Sequence, residues 1–154
     1  MKGKRLDILG KRSEDNKFLT IDALGGQLYL LKTLVRYDHP LLFICQNEAD
    51  ELFVFNETKE EPSLLEWGVI NVDVDSLEKF IKGEFSFREL YLTCGDNYII
   101  VGATYGPPPA YFDEAIEVYV DNDKDAYESY ESLLEFYNDD RKLPYYLYDD
   151  IGEN

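Results

Sequence analysis

Between Leu28 and Glu57 the chain reads LYLLKTLVRY, DHP, LLFICQ, NEAD, ELFVFNE: three apolar runs rich in β-branched and aromatic residues, separated by two polar turns. This succession constrains the fold more than any other feature. Each run has strand length, and the breaks carry turn chemistry: Asp38 can bond its own backbone, and Pro40 has no N–H with which to continue a ladder. Consecutive strands joined so tightly pair antiparallel, as a meander. A fourth run, Leu64 to Val74, sets Trp67, Val69, Asn71 and Asp73 in alternation with Gly68, Ile70, Val72 and Val74.

The period then changes. Leu77, Phe80 and Ile81 recur at helical spacing behind Asp75 or Ser76 as N-cap, and Gly83 stands where a left-handed C-cap would end the helix. Ser86 opens a second short helix carrying Phe87, Leu90 and Tyr91. Two more strands follow, YIIVGATY and EAIEVYV, flanking a GPPPAY loop whose three prolines favour polyproline geometry. The sequence therefore predicts one α+β domain spanning 1–154. Its parts are a loose basic arm (1–16), an antiparallel sheet core (28–121) of about five to seven strands, short helices after the fourth strand, an acidic helix (125–138) and a tail (141–154). Leu42, Phe43, Ile44, Phe53, Phe55, Leu77, Phe80, Ile99 and Val101 are the expected core.

Charge bounds the partners. Fifteen Lys and Arg stand against thirty-two Asp and Glu, a net charge of −17. Such a field repels nucleic acid and anionic membranes and attracts basic proteins or cations. It is polarised along the chain, since Lys2, Lys4, Arg5, Lys11 and Arg12 cluster at the start and fourteen acids follow from Asp113 onward. No apolar run approaches the roughly 18 residues of a spanning helix, and the basic N-terminus lacks the apolar segment of a signal peptide. The expected compartment is the cytoplasm of a bacterium or of a phage-infected cell. Cys45 and Cys94 lie in strand-like surroundings and are expected as reduced thiols rather than a disulfide framework.

The densest acidic stretch, YVDNDKDAYESYESLLEFYNDD from Tyr119 to Asp140, admits three readings. A calcium loop beginning at Asp121 has oxygens at positions 1, 3 and 5. It places Ala126 where the sharp turn needs Gly and Ser132 where a bidentate Glu is needed. As a helix, the same stretch puts Tyr127, Tyr130, Leu134 and Tyr137 on an apolar stripe flanked by Ala126 and Leu133, with Glu128, Glu131, Glu135 and Asp139 along another. Those acids are either a solvated face or a ridge for a basic partner.

Catalytic signals are thin. His39 is the single histidine and sits in the Asp-His-Pro turn; Cys45 belongs to an apolar run, where thiols are usually inert. No Cys-x-x-Cys or second His supports zinc, and GATYGPPP lacks the lysine and helix of a phosphate loop. Glu57 and Lys59, with Asp50 upstream, have the residue types of an acid-acid-lysine nuclease site, which thirty-two acids also produce by chance. No catalytic residue, cofactor or metal is expected.

The segments YDHPLLFICQNEADELFVFNE and VDVDSLEKFIKGEFSFRELYL resemble a family of small uncharacterised bacterial and phage proteins. The matching residues are Tyr37, Asp38, Pro40, Leu41, Phe43, Leu77, Gly83, Arg88 and Tyr91, within Leu28 to Tyr105. The resemblance implies a β-meander-plus-helix domain and supplies no catalytic residues. Arg88 is expected to pair with Asp38 or with a nearby backbone carbonyl.

The function expected from small size, acidity, thirteen tyrosines and the lack of a catalytic set is non-enzymatic binding, as an inhibitor or immunity-type protein. It would occupy a basic site on a host, toxin or defence protein, with no direct nucleic-acid or membrane contact. Glu128, Glu131, Glu135, Asp139 and Asp140 would steer the partner, and Tyr145, Tyr146 and Tyr148 would anchor it. The alternatives are a small metal-dependent enzyme with acidic ligands, and a homo-oligomeric component of a larger or phage assembly.

Overall fold

The computed structural model describes residues 9–37, 39–105 and 115–143. Seven strands lie side by side in sequence order, each antiparallel to the next: β1 (Lys17–Ile21), β2 (Gly26–Tyr37), β3 (His39–Asn47), β4 (Leu52–Glu61), β5 (Leu64–Val72), β6 (Ile99–Tyr105) and β7 (Ala115–Asp121). Two short helices, α1 (Val74–Ile81) and α2 (Phe87–Cys94), fill the β5–β6 connection, and α3 (Lys124–Phe136) follows β7. This is an α+β meander in which strands predominate.

The sheet begins earlier than 28, so the helices follow the fifth strand rather than the fourth. The extra strand, β1, is only five residues long, and Lys17 and Thr20 interrupt its apolar positions. Its turn into β2 depends on Gly25, whose φ of 89° lets its N–H reach the Asp22 carbonyl at 3.1 Å. Pro40 lies inside β3 rather than in a turn before it. Its ladder partner is Arg36, beside a register shift, and pairing with β4 starts only at Leu42, so the missing N–H costs the sheet little. Of the expected arm, residues 9–16 are described: Leu9 is buried, and Arg12 bonds the Asn47 carbonyl and Asp50, each at 2.6 Å.

The sheet coils strongly. Phe18 on β1 and Trp67 on β5 would lie about 19 Å apart across four strand spacings of a flat sheet, yet their ring centroids are 5.5 Å apart. Phe18 also meets Phe43 at 5.4 Å and Phe55 at 5.7 Å, so this face is concave and filled by aromatic rings. Three register shifts along β2 supply the bends that such coiling needs. With Leu28, Cys45, Leu65, Val101 and Ala103, these rings form one of two core clusters.

The second cluster covers the opposite, convex face, where Leu34, Leu42, Ile44, Val54 and Ile70 meet Leu77 and Phe80 of α1 and Leu90 and Tyr91 of α2. Burying each such side chain stabilises the fold by roughly 1.5–3 kcal/mol, enough to hold helices of eight residues that would not persist alone. The α1 N-cap is Asp73, whose carboxylate accepts from the Ser76 N–H at 2.6 Å. That is two residues before Asp75 and three before Ser76, the expected caps, because Val74 continues the β5 alternation while already being helical. Gly83, at φ 79°, ends α1 as the sequence predicts: its N–H bonds the Phe80 carbonyl, and the Glu84 N–H returns to Lys79. Ser86 and Glu89 close a reciprocal capping box on α2. Of the expected core residues, Ile99 alone is only half-buried.

Candidate functional site

The acidic stretch folds as α3 rather than as a metal loop, since helix begins at Lys124 and runs through the positions a calcium loop would need in turn geometry. Its buried residues are Ala126 and Leu133, and Tyr137 just beyond its end is buried too, with Tyr130 partly so. Tyr127 does not share that stripe, being 65% exposed. It lies one residue, about 100° of rotation, from Ala126, and the contact with the convex cluster selects the stripe centred on Ala126, Tyr130, Leu133 and Tyr137.

Three bonds fix α3 against the rest of the fold, and a fourth holds the chain beyond it. Tyr130 donates to the Tyr91 carbonyl at 2.8 Å, and the Tyr98 and Ser129 hydroxyls share a bond of 2.7 Å. The Arg88 guanidinium donates to the Leu134 carbonyl in the last turn, where a cation also suits the helix dipole; the partner is a carbonyl, as one expectation had it. The Arg141 carbonyl then receives the Phe87 N–H, tying the chain after α3 to the start of α2.

Glu128, Glu131 and Glu135 all project into solvent from this anchored helix. Lys124 approaches Glu128 at 4.0 Å one turn away, because α3 starts a residue earlier than expected and takes this lysine in. Among the described residues no ion pair engages Glu131 or Glu135. Asp139 is exposed but occupied: Arg141 grips its two oxygens at 3.3 and 3.2 Å, and these hydrogen bonds hold its carboxyl below the ordinary value. Asp140 is exposed, and Tyr145, Tyr146 and Tyr148 lie outside the described residues.

Apolar surface borders the acids. Phe136 is 62% exposed, with the Arg141 guanidinium 4.8 Å above its ring. On β7, Ile116, Tyr119 and Val120 are also exposed. Tyr119 donates to Glu66 at 2.8 Å; burial, then this bond and the Glu66 charge, push its hydroxyl up to about 12.

A different chemistry sits at the far end of β4. His39 Nε2 and Glu57 Oε1 are 2.6 Å apart, each side chain 12% exposed, and Glu60 lies close by. Burial raises the Glu57 carboxyl, and the His39 contact offsets part of that rise. In the sequence the two residues stand 18 positions apart, in different runs. The signal was present in the hairpin: Ala49 marks the turn, His39 lies ten residues before it and Glu57 eight after, which makes them diagonal neighbours. Asp50, by contrast, is at the turn and bonded to Arg12, about 23 Å of extended strand from Glu57. The acid-acid-lysine arrangement is therefore not assembled. Cys45 is fully buried, and burial pushes its thiol well up, away from nucleophilic use.

Clefts open among the described residues. One of about 510 Å³ lies at the sheet end near Gly25, Glu51, Asn71, Asp96 and Asn122; another, of about 280 Å³, is bordered by Asn56, Glu57, Phe136, Tyr137 and Arg141. Among the described residues, no helix is long and apolar enough to cross a membrane. Comparison of the chain with protein-family models, with curated proteins and with solved structures gives no match.

Proposed function

We propose that this chain is a non-enzymatic binding protein of the inhibitor or immunity type, which covers a basic surface of another protein. Where such a surface binds nucleic acid, an acidic ridge on a rigid helix competes for it on the same electrostatic terms. The observation that carries the reading is the position of Glu128, Glu131 and Glu135: exposed on a helix whose other side is anchored, with exposed Tyr127 and Phe136 on the same element. Acids steer the encounter, and aromatic side chains contribute most at the centre of a contact. Neutralising a toxin or countering a defence component are activities of this kind.

The test is affinity capture with the wild-type chain and with the E128K/E131K/E135K variant, at low and high salt, followed by competition with duplex DNA. The captured protein should be basic, should leave the wild type as salt rises or DNA is added, and should be lost by the triple variant. A triple variant that retains the same partner at both salt concentrations refutes the ridge.

A further inference from the structure

We propose that His39, Glu57 and Glu60 bind one divalent transition-metal ion of the zinc class at the open end of the concave face. The geometry is produced by a bulge. Glu57 and Glu60 are three residues apart, which on a regular strand would send them to opposite faces. The β4–β5 register shifts between Glu57 and Lys59, so that Glu57 pairs with Trp67 while Glu60 pairs with Leu65. Trp67 and Leu65 belong to the same concave cluster, and both carboxylates are thereby turned to that side. Lys59, paired with Glu66, is turned to the other face and does not put its cation between them.

His39 enters from the first residue of β3. One ligand atom from each of the three side chains lies within 4.8 Å of the others. A tetrahedral ion with bonds of 2.0–2.2 Å needs ligand atoms about 3.4 Å apart. The ion would replace the 2.6 Å His39–Glu57 contact by opening it slightly, while the exposed Glu60 swings in. One imidazole nitrogen with two carboxylate oxygens suits zinc and its neighbours better than calcium or magnesium, which prefer all-oxygen shells. Three protein ligands leave a fourth position open to water or to a donor from outside.

The second acidic group of this size, Asp121, Asp123 and Asp125, differs in kind. It is all oxygen and mostly exposed, and its carboxylates already serve the start of α3: Asp121 accepts from the Asp123 N–H, and Asp123 from the Asp125 N–H.

The single histidine makes the test direct. Zinc is titrated into the full-length chain while the His39 ring is followed by proton–nitrogen NMR, with stoichiometry and affinity read by calorimetry. One equivalent should shift the His39 ring resonances, and magnesium should not. H39A should weaken zinc binding by about a hundredfold, at or above the upper end of what even an outer-shell partner contributes; E60Q should weaken it less, and D123N should leave it unchanged. His39 resonances unmoved by stoichiometric zinc overturn the site, without reliance on any variant's folding. So does zinc binding that survives H39A or is abolished by D123N.

Discussion

Replacing Asn47 should unfasten one end of the sheet. Its side chain is completely buried at the end of β3 and makes four hydrogen bonds. The amide oxygen accepts from the Ala49 N–H at 3.0 Å and the Glu51 N–H at 2.9 Å, which shapes the β3–β4 turn. The amide nitrogen donates to the Leu24 carbonyl at 2.9 Å and to Glu51 Oε1 at 2.7 Å, which ties that turn to the β1–β2 connection. At about 1 kcal/mol for each of the three neutral bonds and about 2 kcal/mol for the one to the Glu51 carboxylate, deleting all four in N47A removes about 5 kcal/mol before any recovery. Ala49 and Glu51 are exposed and recover part from water, whereas Leu24 is buried and its carbonyl is left wanting a donor. A net loss of about 3 kcal/mol follows, large against a typical total of about 5–15 kcal/mol.

Urea denaturation measures it as a fall in midpoint at unchanged slope. N47D is the sharper variant: it keeps the two turn bonds but sets an oxygen against Glu51 and the Leu24 carbonyl. At neutral pH it should be less stable than N47A. Its introduced carboxyl would have a raised folded-state pKa, so the penalty is absent below the unfolded value and grows as pH rises through the folded one. G25A strikes the same junction, since an added Cβ would meet Asn47 Nδ2 at 2.5 Å on a residue at φ 89°. It should therefore be non-additive with N47A. An N47A loss below 1 kcal/mol, or additivity with G25A, refutes the junction.

Alkaline titration should show Tyr105 and Tyr119 ionising late, both pushed up to about 12. Because the unfolded phenols ionise near 10, the stability these groups contribute is present below that pH and is lost as pH rises toward 12, which circular dichroism against pH reads as alkaline unfolding. E66Q should bring Tyr119 downward, and Tyr98 to a smaller extent, while Tyr105 stays in place, as followed by NMR. In native protein a thiol reagent should modify the half-buried Cys94 and spare Cys45 until denaturant is added, and the denatured, unreduced chain should report both thiols free. Equal native reactivity would contradict the burial of Cys45.

The strands from Leu28 to Tyr105 were legible because both faces of the sheet are covered. Buried on both sides, β3 and β5 read as near-continuous apolar runs, and turn residues bound them cleanly. β1 was not legible, because a five-residue strand with two polar positions carries too little period to register. Pro40 misled for a related reason: a ladder with one neighbour tolerates proline, and nothing local in the sequence tells how many neighbours a strand has. On α3 the sequence offers overlapping stripes of Tyr and Leu one residue apart. The contact with the convex cluster chooses between them, which is why Tyr127 changed sides. The His39–Glu57 pair was recoverable from the hairpin, whereas the turning of Glu60 to the same face depends on a bulge that no residue type announces.

The same organisation bears on whether the acids of α3 have a purpose. Apolar side chains fill both faces of the sheet, and the charged residues that interrupt its strands, such as Lys32, Glu66 and Glu117, are half-buried or exposed. Four cations away from the helix are taken up in pairs: Arg12 with Asp50, Lys17 with Glu14, Lys82 with Glu78, Arg141 with Asp139. On α3, Glu131 and Glu135 stand one turn apart with no ion pair among the described residues, and repel by a few tenths of a kcal/mol. The fold does not require them. Its hold on α3 comes from Ala126, Leu133 and Tyr137 beneath and from Arg88 at the end, none of which touches the acidic side. A helix attached this way would persist with lysines in those positions, each exposed change staying within about half a kcal/mol. Charge reversal consequently separates folding from association: the variant should unfold at nearly the wild-type midpoint, and any loss of binding belongs to the acids themselves.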